Sequence, residues 1–399
     1  MKIIVIGGGA AGFFTAINIA EKHPTYKVTI LEKSNKLLSK VKVSGGGRCN
    51  VTNARSKPSE LVHFYPRGHK KLHSLFKSFS TSDMVAWLAQ RGVKTKAEED
   101  LRMFPITDSS QTIIDCFQKE AQKHKVQVRT NTAMASIKPK GKNWIVETNE
   151  ETIDADKVII ATGSSPALWK QLVNLGLQVT PPTPSLFTFN IKDARLKDLM
   201  GVSFESASVK ITGTKLAESG PMIITHWGLS GPAILKLSAW GARELETLKY
   251  TFSIMINFTN DLKPEEVKSH FTQYKEAHPK RKIVNYPLFD LPKRFWERIT
   301  SHCGISNETT HGELQKKQLN KLVEELSQGL YPVNGKSTFK EEFVTAGGVK
   351  LNEIDLATFE SKEFKNLYLA GEVLDIDALT GGFNFQACWS AGWVISDVI

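Results

Sequence analysis

A glycine-rich segment near the amino terminus constrains the fold more than any other feature. The apolar run Ile3–Ile6 lacks polar alternation, as is typical of a buried parallel strand, and leads directly into Gly7–Gly12. A helical pattern covers Ala10–Glu21, and a second strand follows over Lys27–Glu32. This order of strand, glycine turn, helix and strand predicts one βαβ unit of a dinucleotide-binding fold.

The glycine spacing in this segment, which we call the phosphate loop, fits the binding of a pyrophosphate. Gly7 makes a tight turn, Gly9 lets the backbone approach the phosphates, and Gly12 allows close packing of the helix. We also expect contacts from Ala10 and Ala11, because N–H groups at a helix N-terminus favour an anion.

An acidic residue at the end of the second strand indicates the kind of nucleotide. Glu32 lies 20 residues after Gly12, where a carboxylate accepts hydrogen bonds from an adenosine ribose and repels a 2′-phosphate. We expect the neighbouring Lys33 to contact the cofactor as well. These residues occur in both NAD- and FAD-binding units, so they leave the cofactor open.

Two segments at the other end of the chain favour FAD. The apolar strand Asn366–Ala370 ends in Gly371 and Glu372, an arrangement by which flavoproteins hold the ribityl chain and the diphosphate. Thr380–Asn384 opens a helix whose N–H groups can face the flavin pyrimidine ring, where negative charge develops on reduction. Cofactor contacts are expected from Gly371, Glu372, Asp375, Gly381, Gly382, Phe383 and Asn384.

Three interior segments complete the predicted cofactor site. One strand runs over Lys157–Ile160 into Ala161–Gly163, and another covers Ala133–Ile137. Ser44–Asn53 contains three consecutive glycines, which either form a backbone nest for an anion beside the charge of Arg48 or make an ordinary hairpin. The contacts expected here are Ser44, Gly47, Arg48, Cys49, Asn50, Met134, Ala161, Thr162 and Gly163.

Cys49 and His226 are the candidate catalytic residues. Cys49 follows Arg48, and a neighbouring cation lowers the pKa of a thiol, so Cys49 is either a redox thiol or base, or a packed cysteine. His226 precedes a turn into a helix predicted over Ala233–Glu244, with Ser230 as its candidate cap. There it either exchanges a proton with a substrate or fixes the loop through backbone hydrogen bonds.

The chain of 399 residues is too long for one ordinary domain. The proline-rich stretch Pro181–Pro184 marks a change from the first pattern to β-rich and then helical segments. We therefore predict an FAD-binding domain over residues 1–188 and 342–399, a β-rich insert over 189–260 and 329–341, and a helical subdomain over 261–328.

Cysteine spacing and charge narrow the choice of cellular location and of binding partners. The 4 cysteines show no metal or disulfide spacing, so we expect no metal site and a cytoplasmic location, and no apolar run is long enough for a membrane span. The net charge is +11, and the densest basic run is Lys280–Arg298. A nucleic-acid-binding flavoprotein is thus an alternative. Without a readable RNA-recognition motif, a small molecule is the favoured partner, and the oligomeric state stays open.

Three segments resemble a known family. Ser44–Asn53, Thr225–Leu235, and Thr345–Val349 with Ala370–Asp377 are similar to the BaiN-type NAD(P)/FAD-dependent oxidoreductases, also called aminoacetone oxidase family flavoproteins. The resemblance implies an α/β fold with a discontinuous Rossmann-like FAD domain of glutathione-reductase type, a β-barrel-like insert and a helical subdomain. It also implies hydride transfer between flavin N5 and a small substrate, with either NAD(P)H as transient reductant or oxygen in the oxidation of a small amine.

Overall fold

The computed structural model describes residues 1–337 and 344–399. The chain forms two compact units: Met1–Thr183 with the described part of Lys340–Ile399, and the described part of Pro184–Phe339. The expected boundary between residues 341 and 342 lies outside the described residues. The division of the chain into three domains stays a prediction.

The first unit is built on a seven-stranded sheet. Its strands are β1 (Lys2–Ile6), β2 (Lys27–Leu31), β6 (Gln127–Arg129), β10 (Lys157–Ile160), β20 (Ile354–Asp355), β21 (Glu360–Ser361) and β22 (Leu367–Leu369). The spatial order is β20-β21-β22-β10-β1-β2-β6, and the five strands from β22 to β6 are parallel. The chain leaves β1 on one side through β2 and returns on the other side at β10, which places the topological switch point between β1 and β10.

Helices cover this sheet, which explains its unbroken apolar strands. The helices of the unit are α1 (Ala10–Lys22), α2 (Ser39–Val43), α3 (Pro58–Leu61), α4 (His73–Ser78), α5 (Thr81–Gln90), α6 (Ser110–Lys123), α7 (Pro166–Leu175) and α13 (Phe383–Val398). Helices α1 and α13 pack so closely that a β-carbon on Gly392 would lie 2.6 Å from Oγ1 of Thr15. The first and last helices of the chain therefore share one core.

Smaller sheets complete the first unit. Their strands are β3 (Thr52–Asn53), β4 (Thr95–Ala97), β5 (Arg102–Pro105), β7 (Met134–Lys140), β8 (Asn143–Thr148), β9 (Thr152–Ala155), β11 (Val179–Ser185) and β19 (Val344–Val349). The sheet orders are β3-β5-β4, β7-β8-β9 and β11-β19. Pro181–Pro184 lies within β11, where a two-stranded sheet tolerates missing N–H donors.

The second unit contains a seven-stranded antiparallel sheet of order β17-β16-β13-β14-β15-β12-β18. The strands are β12 (Thr188–Asn190), β13 (Ser203–Ile211), β14 (Ala217–Ile224), β15 (Gly228–Ser230), β16 (Thr251–Asn257), β17 (Gly329–Asn334) and β18 (Lys336–Ser337). The helices are α8 (Pro232–Trp240), α9 (Ala242–Thr247), α10 (Pro264–Ala277), α11 (Lys293–His302) and α12 (Lys316–Gln328). Helices and sheet contribute to one hydrophobic cluster, in which Phe295 of α11 packs against Phe204 of β13.

The single helix predicted over Ala233–Glu244 is wrong. Helix α8 ends at Trp240 and α9 begins at Ala242, so the break lies at Gly241, a residue type with low helix propensity. Ser230 does not cap α8: its hydroxyl lies 3.1 Å from that of Thr188. In the described parts of the chain, no helix has the length and apolarity needed to cross a membrane.

Candidate cofactor site

The parallel strands bring four of the predicted segments to one edge of the sheet. Gly7 follows β1, Glu32 follows β2, Ala161 follows β10 and Ala370 follows β22. The backbone N–H of Ala161 donates to the carbonyl of Ile6 over 2.8 Å, which ties two of these segments together at the switch point. Ligands of open α/β sheets bind at this position.

The three fingerprint glycines of the phosphate loop have different surroundings. A β-carbon on Gly7, which has φ +117°, would lie 2.4 Å from the carbonyl oxygen of Ala161, and one on Gly12 would lie 1.9 Å from that of Gly7. A β-carbon on Gly9 would meet nothing within 4 Å among the described residues. Packing therefore requires the first and third glycines, while the second faces open space that a pyrophosphate would fill.

The start of α1 supplies donors to that space. Gly9 is the N-cap residue, and no side chain caps the helix. The first helical hydrogen bond runs from the N–H of Phe13 to the carbonyl of Gly9 over 3.0 Å. The N–H groups of Ala10, Ala11 and Gly12 belong to the first turn, which has no intrahelical acceptors, so they are suited to phosphate oxygens.

Glu32 is held against the phosphate loop. Its Oε2 accepts a hydrogen bond from the N–H of Gly8 over 2.9 Å, and its Oε1 accepts from the N–H and hydroxyl of Ser34. The backbone carbonyl of Glu32 accepts from the N–H of Thr132 over 2.9 Å, which places the segment leading into Met134 beside it. Lys33 is exposed. This arrangement supports a role for Glu32 and Met134 at the adenosine end of a dinucleotide.

The loop after β10 contains a buried hydroxyl without a partner. Oγ1 of Thr162 has no hydrogen-bond partner among the described residues, which is a costly arrangement unless a ligand supplies one. A β-carbon on the neighbouring Gly163 would lie 3.6 Å from Oε2 of Glu372, and that carboxylate forms an ion pair with Lys40. The open space at the phosphate loop and this orphaned hydroxyl fit a flavin dinucleotide.

The N-terminus of α13 is held by the segment that precedes and includes β3. Gly382 has φ +86°, and a β-carbon there would lie 2.4 Å from the carbonyl oxygen of Thr52. The Nδ2 group of Asn53 donates to the carbonyl of Gly381 over 3.0 Å. The amide of Asn50, oriented to satisfy both of its ends, donates to the Thr52 carbonyl over 2.9 Å and accepts from the Gly382 N–H over 3.0 Å. Asn50 thus positions this loop, and the Gly382 N–H is not free for the cofactor.

The side chains of Phe383 and Asn384 both contact other parts of the protein. Phe383 is buried and stacks on Phe64 with a centroid distance of 4.2 Å. Asn384 accepts from the N–H of Ala378 over 2.9 Å and donates to its carbonyl over 3.0 Å. These side chains serve packing and loop support, and the expected contacts of Phe383 and Asn384 with the cofactor stay a prediction. Asp375 accepts from the hydroxyl of Thr180 over 3.3 Å.

The three consecutive glycines Gly45–Gly47, which we call the glycine turn, were expected to form either an anion nest or an ordinary hairpin. All three have left-handed φ values of +58°, +67° and +84°. The N–H groups of Gly47 and Cys49 donate to the carbonyl of Ser44, and that of Arg48 donates to Gly45. The turn uses the N–H groups of Gly47, Arg48 and Cys49 internally, while those of Gly45 and Gly46 make no hydrogen bond among the described residues, so the anion nest stays a prediction.

Arg48 is also placed differently from our expectation. Its guanidinium lies 2.5 Å from Glu98 and 3.6 Å from Asp108, and it covers the ring of Phe104 at 4.1 Å. Two carboxylates therefore compensate the charge that was expected to face a cofactor.

The prediction of an activated thiol at Cys49 is wrong. The side chain is fully buried, and burial raises the pKa of the thiol to about 12. Arg48 turns away to its carboxylates and does not counter this effect. Cys49 is a packed cysteine, consistent with the other interpretation of its position.

His226 lies in the second unit, in an exposed bend between β14 and β15. Its ring meets that of Trp227 edge to face with a centroid distance of 5.0 Å, and it makes no hydrogen bond with any described residue. The backbone bonds that were expected to fix the loop through this ring are absent from the described structure, while its role in proton transfer stays a prediction.

Sequence reasoning missed two supports of the site. Lys40 forms an ion pair with Glu372, which is 332 residues away in the sequence. Asn53 donates a hydrogen bond to Gly381, which is 328 residues away in the sequence. No local pattern signals such pairs, because only the folded sheet brings the two chain ends together.

Comparisons with known proteins agree with this geometry. A family model described as the HI0933-like protein Rossmann domain matches residues 1–398. The Escherichia coli (strain K12) protein named ribosomal RNA dihydrouridine synthase is 29% identical over 402 residues, covering 98% of this chain and 96% of the relative. The 3-dehydro-bile acid delta(4,6)-reductase of Clostridium scindens is 26% identical over 403 residues, covering 98% and 97%.

A solved structure shows the same fold. The 3-ketosteroid delta1-dehydrogenase from Sterolibacterium denitrificans superposes with a TM-score of 0.52 at 11% identity, covering 99% of this chain and 98% of that one.

Proposed function

The chain belongs to the HI0933-like Rossmann-domain family, and from this premise we propose that it reduces the uracil ring of a uridine in ribosomal RNA. The family membership confirms the resemblance, the Rossmann-like α/β fold, the FAD cofactor and the oxidoreductase class expected from the sequence. The observation that carries the finer proposal is the 29% identity, over 98% of the chain, to a protein named for dihydrouridine synthesis in ribosomal RNA.

The names of the two relatives share one reaction chemistry. Dihydrouridine forms when two hydrogens add across the C5–C6 double bond of uracil, which is conjugated to the C4 carbonyl. A delta-4 double bond in a 3-dehydro steroid is likewise conjugated to the C3 ketone. Conjugation makes the carbon distant from the carbonyl electrophilic. The substrate class supported here is therefore a carbon–carbon double bond conjugated to a carbonyl.

The proposed reaction balances with NAD(P)H as the source of electrons. A C–H bond of the nicotinamide breaks, a hydride reaches uracil C6, and a proton reaches C5, so that NAD(P)H is oxidised and the C5–C6 double bond becomes single. FAD, when bound, supplies the hydride carrier between the two substrates. Transient use of NAD(P)H follows the resemblance stated above.

Residues of the chain would bind the cofactor and supply the proton. The first-turn N–H groups of α1 would hold the pyrophosphate, Glu32 would accept bonds from the ribose, and Oγ1 of Thr162 would gain its missing partner from the cofactor. For the proton, we keep His226 as the candidate donor, because its exposed ring has no competing hydrogen bond among the described residues.

Positive charge supports a nucleic-acid substrate over a small molecule. The net charge of +11 favours association with phosphates, whose released counterions dominate such binding. This proposal reverses the ranking of partners that the sequence motifs alone favoured. It also leaves amine oxidation by oxygen without support from either relative's name.

Product analysis tests the proposal. FAD-loaded protein, NADPH and ribosomal RNA lacking dihydrouridine are incubated, and the RNA is digested for nucleoside mass spectrometry. We expect dihydrouridine to appear in step with NADPH oxidation. Reduction of a steroid dienone without any dihydrouridine would remove RNA as the substrate and keep the chemical class. Hydrogen peroxide formed from a small amine, with no reduced product, would support the oxidase alternative instead.

A further inference from the structure

Trp227 exposes an unusually large aromatic surface. Its side chain is 53% exposed, whereas Trp144, Trp296 and Trp389 are buried in the two cores. Exposing an indole forgoes the stabilisation that burial gives. An exposed aromatic face suits the stacking of an unpaired nucleobase, because every base has a π-face.

The bend that carries Trp227 is firmly held. The N–H and the hydroxyl of Thr225 both bond the carbonyl of Gly228, at 2.7 Å and 3.2 Å, and the carbonyl of Trp227 accepts from the N–H of Ile191 over 2.9 Å. A β-carbon on Gly228, which has φ +149°, would lie 2.2 Å from the carbonyl oxygen of Phe189. A ligand that stacks on this bend therefore loses little affinity to ordering of the backbone.

Cations surround the same part of the second unit. Ile191, which bonds Trp227, leads into Lys192, and Lys197 follows in the same loop. Both lysines are exposed and form no ion pair within the described residues. Met200, in the same loop, is 64% exposed. The loop therefore combines uncompensated positive charge with apolar surface.

Helix α11 extends this positive charge. Arg294 donates to the carbonyl of Asp198, and Arg298 lies 3.8 Å from the carboxylate of that residue. The carboxylate of Asp198 thus lies near Arg298, while Arg294 contacts the backbone of that residue. We call Lys192, Lys197, Arg294 and Arg298 the basic surface.

We propose that the Trp227 bend and the basic surface bind a single-stranded segment of the RNA substrate, with Trp227 stacking on an unpaired base and the cations contacting the phosphates. The proposal rests on the function inferred above. Flat aromatic surface beside a cluster of cations is the combination that single-stranded nucleic acid requires. Base edges are not read by such a platform, so it positions the RNA without selecting a sequence.

Fluorescence anisotropy with FAD-loaded protein and a labelled, uridine-containing single-stranded RNA tests the platform. We expect Trp227→Ala to weaken binding roughly tenfold, and Trp227→Phe to restore most of it, because a phenyl ring still stacks. Trp240→Ala is the matched control: Trp240 is 37% exposed in the same unit but lies in α8, away from the bend. It should bind as the unmodified protein does.

Salt titrations test the cations separately. The pair Lys192→Ala and Lys197→Ala should lower the slope of log affinity against log salt by about 0.7 for each lost phosphate contact. Lys275→Ala, an exposed lysine of α10, should leave the slope unchanged. Equal changes of this slope in both variants would indicate nonspecific electrostatic attraction and would contradict RNA binding at the basic surface.

The outcomes separate this inference from the proposed function. If dihydrouridine forms and Trp227→Ala binds RNA like the unmodified protein, the platform is wrong while the function stands. If the unmodified protein neither binds RNA at low salt nor forms dihydrouridine, both the platform and the proposed function are wrong. Steady-state kinetics give a further readout, since loss of the platform should raise KM for RNA more than it lowers kcat.

Discussion

The phosphate loop and the glycine turn look alike in the sequence and differ in the structure. The phosphate loop has four glycines and the glycine turn has three, and the sequence assigned both short segments to an anion. In the phosphate loop, Gly7 and Gly12 are fixed by backbone contacts and Gly9 faces open space. In the glycine turn, left-handed backbone and internal hydrogen bonds use up the donors of Gly47, Arg48 and Cys49.

The two loops differ in their strand and helix context. The phosphate loop joins β1 to α1, so the helix contributes a row of N–H groups without acceptors. The glycine turn follows the five-residue helix α2 and leads into Asn50. The side chain of Asn50 holds the start of α13 by accepting a hydrogen bond from the N–H of Gly382. The phosphate loop leaves backbone donors free at the start of α1, and the glycine turn connects α2 to the segment that holds the start of α13.

Gly12→Ala should have the largest effect in this comparison. The new β-carbon would lie 1.9 Å from the carbonyl oxygen of Gly7, so α1 must shift from β1, at a cost of about 1–3 kcal/mol or more. We expect both a lower thermal midpoint and loss of bound FAD. Flavin absorbance per chain and thermal unfolding measure the two effects. A variant with full flavin and an unchanged midpoint would show that this contact is not tight.

Gly9→Ala should separate cofactor binding from folding. Gly9 has φ −93°, which alanine adopts without strain, and its β-carbon would meet no described atom within 4 Å. The apoprotein should unfold at the unmodified temperature, while FAD affinity falls at least tenfold because the methyl group occupies the pyrophosphate space. Isothermal titration with FAD measures the loss. Unchanged affinity would place the pyrophosphate elsewhere.

Gly46→Ala should give the opposite pattern to Gly9→Ala. Its φ of +67° penalises any side chain by about 1–2 kcal/mol, although no described atom lies within 4 Å of the new β-carbon. We expect a modest loss of stability in denaturant titrations and unchanged FAD affinity. If this variant lost FAD as strongly as Gly9→Ala, the glycine turn would be an anion site after all.

The pH dependence of stability gives the smallest and most local test. The pKa of Cys49 is raised from 9.0 to about 12, so the folded state keeps the thiol protonated where the unfolded chain ionises. This contribution is complete below pH 9.0 and declines as the pH rises towards 12. The unmodified protein should therefore lose stability relative to Cys49→Ala between these pH values. A parallel loss in both proteins would mean that Cys49 is accessible to solvent.

Local patterns predicted the cofactor unit well because its signals are local. The apolar run of β1, the glycine spacing and the position of Glu32 all lie within one βαβ unit, and the structure forms each of them. The resemblance supplied the wider architecture. In contrast, the close approach of Leu216, from the turn between β13 and β14, to Gly241 joins two segments that no local pattern connects.

Side-chain partners could not be predicted for the same reason. Arg48 pairs with Glu98 and Asp108, and Asn384 bonds the backbone of Ala378. The sequence shows that such groups can bind an anion or a flavin, but only the packed structure shows which partner each one has.

We propose that FAD, held at the carboxyl edge of the parallel sheet, would supply the electrons that reduce uracil in RNA. In an anaerobic stopped-flow experiment, protein with reduced FAD is mixed with ribosomal RNA lacking dihydrouridine, and the flavin absorbance is followed. We expect the flavin to be reoxidised without oxygen, with one dihydrouridine formed per flavin. A flavin that stays reduced until oxygen is admitted, with no dihydrouridine in the RNA, would show that RNA is not the electron acceptor.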